Sequence, residues 1–275
     1  AVVATHGFAV NGFGSAHIIL NGLASIANTY GVYTLTLGAG QQLLGDRVNC
    51  RTAFYRNADS NSGKQFEYAY ALPVQNPQIG KLSGVYNSFD PSGTASITHN
   101  WLSVINFDST PLTATVSVFR ADGTLLQNVP ISALPPSGRV DIPLGHPDGQ
   151  TTGLYLITPE NPAQLYDSFL IRYNTAANGR FNFAFPLRGV SGACNGEPLL
   201  ASTMGNGLTH NWLEIANANA IDIGVTVEVR DRAGALLLSE RRAIPSFGQS
   251  HLYLSAVIDP AAAGNVGSAR VLCDD

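Results

Sequence analysis

The sequence predicts an all-β protein made of tandem antiparallel β-sandwich domains, with little or no helix. The pentapeptide Thr-His-Asn-Trp-Leu occurs at residues 98–102 and again at residues 209–213, a step of 111 residues. Most segments alternate apolar and polar residues, which is the period-two pattern of half-buried strands. Turn signals rich in Gly, Pro and Asp separate these segments at the spacing of sandwich hairpins. A period of about 110 residues matches one small sandwich domain and is too long for a solenoid unit.

Each copy of the repeat is predicted to contain the same strands in the same order. The strand with His-Asn-Trp comes first, and an alternating strand then runs to a turn at residues 121–123 or 232–234. The unit then continues with a strand that begins at a further Gly turn. A short strand follows, and a last strand contains the Arg-rich segment. The predicted strands of the middle copy are residues 101–106, 115–119, 139–144, 154–157 and 168–174. Those of the third copy are residues 212–217, 225–229, 250–254 and 269–273.

The N-terminal region is predicted to be a degenerate first copy with shorter loops. Residues 5–8, Thr-His-Gly-Phe, echo Thr-His-Asn-Trp, and residues 51–57 parallel residues 168–174. The chain is therefore expected to form three sandwich domains, at residues 1–80, 81–190 and 191–275.

The copies differ at their ends. The first two continue into an aromatic strand, at residues 66–70 and 181–185, and the third shows no such strand before residue 275. A sandwich without one strand exposes a sheet edge. Two accounts are open: the chain is cut from a longer array, or neighbouring subunits complete each other by strand addition. In the second account the donor is the N-terminal segment, since residues 1–45 contain no Asp, Glu, Lys or Arg.

Composition narrows the classes of partner. Charged residues make up 12% of the chain, against roughly 25% in an average soluble domain. The net charge is −4 and only two of the 15 basic residues, Lys64 and Lys81, are lysines. Such a chain offers no basic stripe for phosphates, so nucleic acid is excluded as an expected partner.

The location expected for this protein is the cell surface or the extracellular space. The chain begins Ala-Val-Val-Ala without Met, as a mature N-terminus does after signal-peptide removal, although a proteolytic fragment would look the same. No run of 18 apolar residues is present, so no transmembrane segment is predicted.

Three cysteines, Cys50, Cys194 and Cys273, are spaced unlike zinc ligands. An oxidising compartment would allow two of them to pair. Cys194 and Cys273 bracket the third copy, which makes them the preferred disulfide and leaves Cys50 as the odd thiol.

The repeated His-Asn-Trp is the best candidate site. His99 with Trp101, and His210 with Trp212, lie two residues apart and therefore on the same face of a strand. Such a pair is able to bind a sugar face or a metal, but the favoured interpretation is core packing, because a Trp near the start of a sandwich strand ordinarily fills the core.

No catalytic arrangement is visible in the sequence. None of the six histidines adjoins a Gly-x-Ser-x-Gly nucleophile pattern. The acidic residues fall mainly in turns, where they cap backbone groups. We therefore expect a non-enzymatic protein with no cofactor and no metal site.

The order of strands and turns resembles the tandem immunoglobulin-like or fibronectin-III-like repeats of secreted and cell-surface bacterial proteins. The resemblance rests on Trp101 with Asp122-Gly123 and Trp212 with Ala233-Gly234, and it covers residues 84–275 best. The Cys…Trp…Cys pattern of true immunoglobulin domains is absent. The resemblance implies an extracellular scaffold or adhesion role and transfers no catalytic residue.

Two functional hypotheses follow. The first is a non-catalytic extracellular structural or adhesive protein, a filament subunit that self-associates by strand complementation or end-to-end packing. The alternative is a carbohydrate-binding accessory module of a larger secreted protein, with aromatic side chains on alternating strands as its stacking platform.

Overall fold

A computed structural model describes residues 5–11, 15–20, 32–36, 38, 50–57, 66–73, 76–89, 97–144, 151–176, 180–192, 198–200, 211–259 and 263–274. The predicted all-β fold is confirmed: antiparallel strands dominate the described chain, which also contains a helical turn, α1 (Leu254–Val257), and a short 3₁₀ turn at Ala263–Asn265.

The strands follow the period-two segments of the sequence. The first ten are β1 (Arg51–Asn57), β2 (Phe66–Pro73), β3 (Leu82–Asn87), β4 (Ile97–Asn106), β5 (Leu112–Arg120), β6 (Leu125–Leu134), β7 (Arg139–Pro143), β8 (Thr152–Pro159), β9 (Tyr166–Thr175) and β10 (Phe181–Arg188). The remaining six are β11 (Pro198–Leu200), β12 (Trp212–Ala216), β13 (Ile223–Asp231), β14 (Leu236–Ile244), β15 (Gln249–Tyr253) and β16 (Val266–Cys273).

Strands β3 to β10 form a sandwich, which we call the middle sandwich. One sheet has the order β3-β8-β5-β6 and the other has the order β10-β9-β4-β7. Alternate residues of both sheets point inward and share one core, which includes Tyr86, Leu102, Val116, Tyr155 and Leu170. Burial of these large apolar side chains supplies the main favourable term for folding.

Strands β11 to β16 form a second pair of sheets, which we call the C-terminal sandwich. Its larger sheet, β11-β16-β13-β14, repeats the order of β3-β8-β5-β6. Its other sheet, within the described residues, contains only β12 and β15. A separate core lies between them and includes Ile215, Val227, Ile244, Leu252 and Val266.

Buried hydrogen bonds recur at the sequence period. The Asn106 side chain donates to the carbonyls of Thr110 and Leu134, at 2.8 and 2.9 Å. Asn217, 111 residues later, donates to Ile221, Ile244 and Pro245, at 2.7, 3.3 and 3.0 Å. The backbone amides of Leu144 and Leu254 likewise donate to Asn100 and Asn211. The repeat found in the sequence thus corresponds to repeated hydrogen bonding.

The strand correspondence between the copies needs one correction. Sequence comparison gives the third copy four predicted strands against five in the middle copy, with residues 269–273 as the last strand and no aromatic strand after it. In the structure β16 pairs with β13 as β8 pairs with β5, so β16 is the counterpart of β8. Among the described residues of the C-terminal sandwich, both β9 and β10 therefore have no counterpart.

Of the predicted first copy, the structure describes mainly one hairpin. Strands β1 and β2 pair antiparallel, and the rings of Phe54 and Tyr70 stack across them at 5.1 Å. Strand β2 also contacts β10. Most of residues 1–49 lies outside the described residues, so the division at residues 80 and 190 into three domains stays a prediction.

Candidate functional site

The repeated Trp is not a core residue. In β4 the buried Leu102 and Val104 point into the core, so the alternation of the strand turns His99 and Trp101 outward. Trp101 is half-buried, and Trp212 of β12 is 59% exposed. The preferred core-packing interpretation is therefore wrong for Trp212 and does not fit the outward side of Trp101. His99 and Trp101 do share one face, while His210 lies outside the described residues.

The outward side of β4, β7 and β9 forms an open depression of about 270 Å³. It is lined by two aromatic rings, one aliphatic side chain and three polar side chains: Trp101, Tyr173, Ile171, Ser103, Arg139 and Asp141. The Trp101 indole Nε1 donates to the Tyr173 hydroxyl at 3.1 Å, which fixes the two rings relative to each other. His99 stacks on Tyr173 with ring centroids 4.9 Å apart and extends the aromatic surface.

The polar side of this depression is organised around one carboxylate. Ser103 Oγ donates to Asp141 Oδ1 at 2.6 Å, and Arg139 Nε donates to the same oxygen at 2.8 Å. Asp141 and Arg139 form an ion pair whose side chains are 23% and 27% exposed. A hydroxylated ligand lying on the rings would therefore meet a fixed acceptor and a fixed donor at their edge.

The equivalent face of the C-terminal sandwich is built differently. Trp212 stacks on Tyr253 with centroids 4.5 Å apart, and His251 meets the Trp212 ring edge-on at 6.4 Å. Glu214 stands where β4 has Ser103. This carboxylate points to the middle sandwich, so the face is part of an interface.

A largely buried ion pair joins the two sandwiches. Arg172 of β9 donates through Nη1 and Nη2 to the two carboxylate oxygens of Glu214, at 3.2 and 3.0 Å. The two side chains are 9% and 15% exposed. Asn87 of β3 donates a third hydrogen bond to Glu214 Oε1, at 2.9 Å. A bidentate pair fixes orientation as well as distance, so it sets the angle at which the sandwiches meet.

Two pKa values at this interface are shifted. Burial by itself would raise the pKa of Glu214, but the charge of Arg172, the hydrogen bonds from Arg172 and the one from Asn87 hold it below the ordinary value. The pKa of His251 is lowered, chiefly because burial disfavours the imidazolium. Burial also lowers the pKa of His99 on the outer face of β4.

Apolar packing and backbone contacts complete the interface. Phe119 stacks on Phe247 at 4.6 Å with the rings nearly parallel, at 9°. Leu154 and Leu156 of β8 pack in the same cluster. The turn after β5 lies against the turn before β15: Gln249 N donates to the Ala121 carbonyl at 2.8 Å.

Gly123 permits this close approach. Its φ is +87°, and a Cβ at this position would lie 2.2 Å from the carbonyl oxygen of Ser246. Any other residue would therefore force the two turns apart.

No group of three or more His, Cys, Asp and Glu side chains is placed to hold a metal ion among the residues that the structure describes. The depression contains a single carboxylate, Asp141, whereas glycoside hydrolysis ordinarily needs two. No helix within the described ranges is long and apolar enough to cross a membrane.

The structure describes two of the three cysteines, Cys50 and Cys273. Cys50 is a free, half-buried thiol. Cys194 lies outside the described residues, so the Cys194–Cys273 disulfide stays a prediction.

Comparisons with protein-family models, with curated proteins and with solved structures give no match to this chain. The resemblance to immunoglobulin-like and fibronectin-III-like repeats therefore stays a prediction from the sequence.

Proposed function

We propose that the protein is a non-catalytic extracellular structural or adhesive protein, a rigid array of β-sandwiches that self-associates into a surface filament. The observation that carries this proposal is the interface between the middle and C-terminal sandwiches, where a bidentate buried ion pair, stacked rings and a backbone hydrogen bond act together. Sandwiches joined by mobile linkers need none of these contacts.

Rigidity is the property that a filament subunit requires. An interface fixed by Arg172 and Glu214 on one side and by Phe119 and Phe247 on the other resists both bending and twisting. The uncharged, polar surface expected from 12% charged residues also reduces electrostatic repulsion between copies.

Light scattering and negative-stain electron microscopy of the purified full chain test the proposal. Uniform, elongated assemblies with a regular repeat are expected. A monodisperse monomer at millimolar concentration, with and without reductant, would contradict a filament-forming role.

A carbohydrate-binding accessory module is the second candidate, and the depression beside Trp101 favours it. A sugar ring would stack its C–H face on Trp101 and Tyr173 and hydrogen-bond to Asp141 and Arg139 at the edge of the rings. A stacking platform requires rings that are accessible to solvent, and neither Trp101 nor Trp212 is buried.

A glycan array followed by isothermal titration checks this second candidate. Trp101→Ala should abolish binding, whereas the matched variant Trp212→Ala should leave it unchanged because Trp212 lies outside the depression. Equal losses from both variants, or no binding to any glycan, would remove the candidate.

A further inference from the structure

We propose that strand β1 of one molecule pairs with strand β12 of a second copy, so that the β1–β2 hairpin supplies the two strands that β9 and β10 supply in the middle sandwich. This inference rests on the proposed self-association and specifies its geometry. The donor is a folded hairpin and not the uncharged N-terminal segment expected from the sequence.

The acceptor is the edge of β12. Strand β4 pairs with β7 on one side and with β9 on the other. Its counterpart β12 pairs with β15, the counterpart of β7, and no described strand pairs with its second edge. Within the part of the chain that the structure describes, this edge of Trp212–Ala216 has no strand partner, and an edge of this kind is a template for a further strand.

The β1–β2 hairpin has the same register as β9–β10, the hairpin that has no described counterpart in the C-terminal sandwich. In β9–β10 a bulge lies at the loop end, and the pairs Arg172↔Phe185 and Leu170↔Leu187 lie farther from the loop. In β1–β2 the pairs Phe54↔Tyr70 and Thr52↔Leu72 follow a bulge at the same place.

Counting from the bulge gives a residue correspondence between the two hairpins. Residues 51–57 match residues 169–175, one residue later than the match read from the sequence. The edge of β1 turned away from β2 then corresponds to the edge of β9 that pairs with β4. The edges of β1 and β12 that have no partner among the described strands are therefore the counterparts of two edges that are paired with each other in the middle sandwich.

The β4–β9 register predicts which residues would meet. Trp101 lies opposite Ile171, and the equivalent pair is Trp212 with Ala53. Two positions along the strand, Ser103 lies opposite Phe169, and the equivalent pair is Glu214 with Arg51.

Side-chain exposure agrees with this pairing. The hairpin turns Phe54, 40% exposed, to the side that faces the core in β9–β10. On the acceptor, Trp212 is 59% exposed, whereas its counterpart Trp101 is half-buried beside Ile171 and Tyr173 of β9. A strand added to β12 would cover Trp212 in the same way.

Cysteine cross-linking between two full-length variants tests the proposal. One chain carries Ala53→Cys and the other carries Trp212→Cys, both with Cys50→Ser, and tags of different length identify the heterodimer on a non-reducing gel. Directly opposed residues of antiparallel strands have Cα atoms about 4.5–5.5 Å apart, which is within the span of a disulfide. The expected result is a disulfide heterodimer as the main product of mild oxidation.

Ala71→Cys is the matched control for the donor. Ala71 lies opposite Ala53 on β2 and is also exposed. It would lie one strand farther from Trp212, at about 10 Å, which is too far for a disulfide. We expect the Ala53→Cys chain to cross-link at least about tenfold faster than the Ala71→Cys chain, because pairing raises the effective concentration of only the first thiol. Equal rates would overturn the proposal.

A single chain with both Ala53→Cys and Trp212→Cys distinguishes a second copy from the chain's own hairpin. Disulfide-linked oligomers that form at high protein concentration, but not when the chain is diluted before oxidation, support the proposal. An internal disulfide that forms equally well at every dilution overturns it.

Electron microscopy of the same samples separates this inference from the proposed function. Filaments without the Ala53→Cys to Trp212→Cys link would leave the filament role standing and overturn the strand pairing. Linked dimers that do not extend into filaments would support the pairing and contradict the filament.

Discussion

Strands β4 and β12 place nearly the same residues in two different surroundings. Both begin their matched segment with Trp-Leu. Asn106 and Asn217, four residues after the Leu, make equivalent buried hydrogen bonds. Strand β4 lies between two neighbours, whereas β12 has one neighbour among the described strands. Trp101 is consequently half-buried and Trp212 is 59% exposed. Burial on the outward face is therefore set by the adjoining strand, whereas the inward face is set by the strand's own sequence.

Substitutions on the inward faces of β4 and β12 should have similar effects on stability, and these are the largest effects that we expect. Asn106→Ala and Asn217→Ala should each lower the free energy of unfolding by about 3 kcal/mol, because each removes the hydrogen bonds that a buried side-chain amide donates to backbone carbonyls. Urea titration followed by circular dichroism measures both losses.

Asn128→Ala is the control for this pair. Asn128 is exposed on β6 and accepts one hydrogen bond, from Ser117, so its loss should cost less than about 1 kcal/mol. A cost below 1 kcal/mol for Asn217→Ala beside a large cost for Asn106→Ala would break the equivalence of the two strands.

The position where the strands differ most is Glu214, which replaces Ser103. Glu214→Gln should lower the free energy of unfolding by about 2–3 kcal/mol, because the buried Arg172 then lacks its counter-ion. The exposed pair of Arg241 and Asp274 provides the control: Asp274→Asn should cost less than about 1 kcal/mol, since Arg241 is 74% exposed.

The acid side of the pH profile sharpens this prediction. The folded-state pKa of Glu214 lies below its ordinary value of 4.5, so the folded protein binds this proton less readily than the unfolded chain. The stabilisation from Glu214 is thus complete above about pH 4.5 and is lost as the pH falls through the folded-state value. If Glu214→Gln and the parent chain kept the same difference in stability at pH 3 and pH 7, the ion pair would have no such role.

The two outward tryptophans should contribute unequally to the free energy of unfolding. Trp101→Ala should cost about 1–2 kcal/mol, because its ring packs beside β9 and its indole donates to Tyr173. Trp212→Ala should cost less than about 1 kcal/mol in the isolated chain, since most of its ring is already in solvent. A loss of 3 kcal/mol or more from Trp212→Ala would show that this side chain is buried after all.

Much of the fold follows from local sequence. Period-two alternation and the turns at Gly123 and Gly234 predict the strands, because both are properties of a few neighbouring residues. The repeat step of 111 residues predicts the recurring hydrogen bonds of Asn106 and Asn217.

The candidate site was predicted in part. The sequence indicates that His99 and Trp101 share a face, but the position of Trp101 near the start of a strand favours the core side, whereas the period of the strand itself favours the outer side. The alternation of Leu102 and Val104 with Trp101 and Ser103 contains the signal that would have turned Trp101 outward.

The rest depends on contacts between distant segments. Arg172 and Glu214 are 42 residues apart and lie in different sandwiches, and nothing in either local pattern pairs them. The depression beside Trp101 likewise combines residues of β4, β7 and β9 that only sheet order brings together.

The smallest effect that we expect is on the pH dependence of stability, from His99 in the middle sandwich and His251 in the C-terminal sandwich. Burial lowers the pKa of His251 and of His99 below the ordinary 6.5, so each is protonated more readily in the unfolded chain than in the folded one. Their contribution to stability is therefore complete above about pH 6.5 and is lost as the pH falls toward the folded-state values. His251→Gln and His99→Gln should each flatten the decline in stability between about pH 6.5 and pH 5, as thermal melts at closely spaced pH values would measure. Because the two histidines belong to different sandwiches, the double variant should show the sum of the two effects. An unchanged slope in His251→Gln would mean that the interface around Glu214 opens before this histidine titrates.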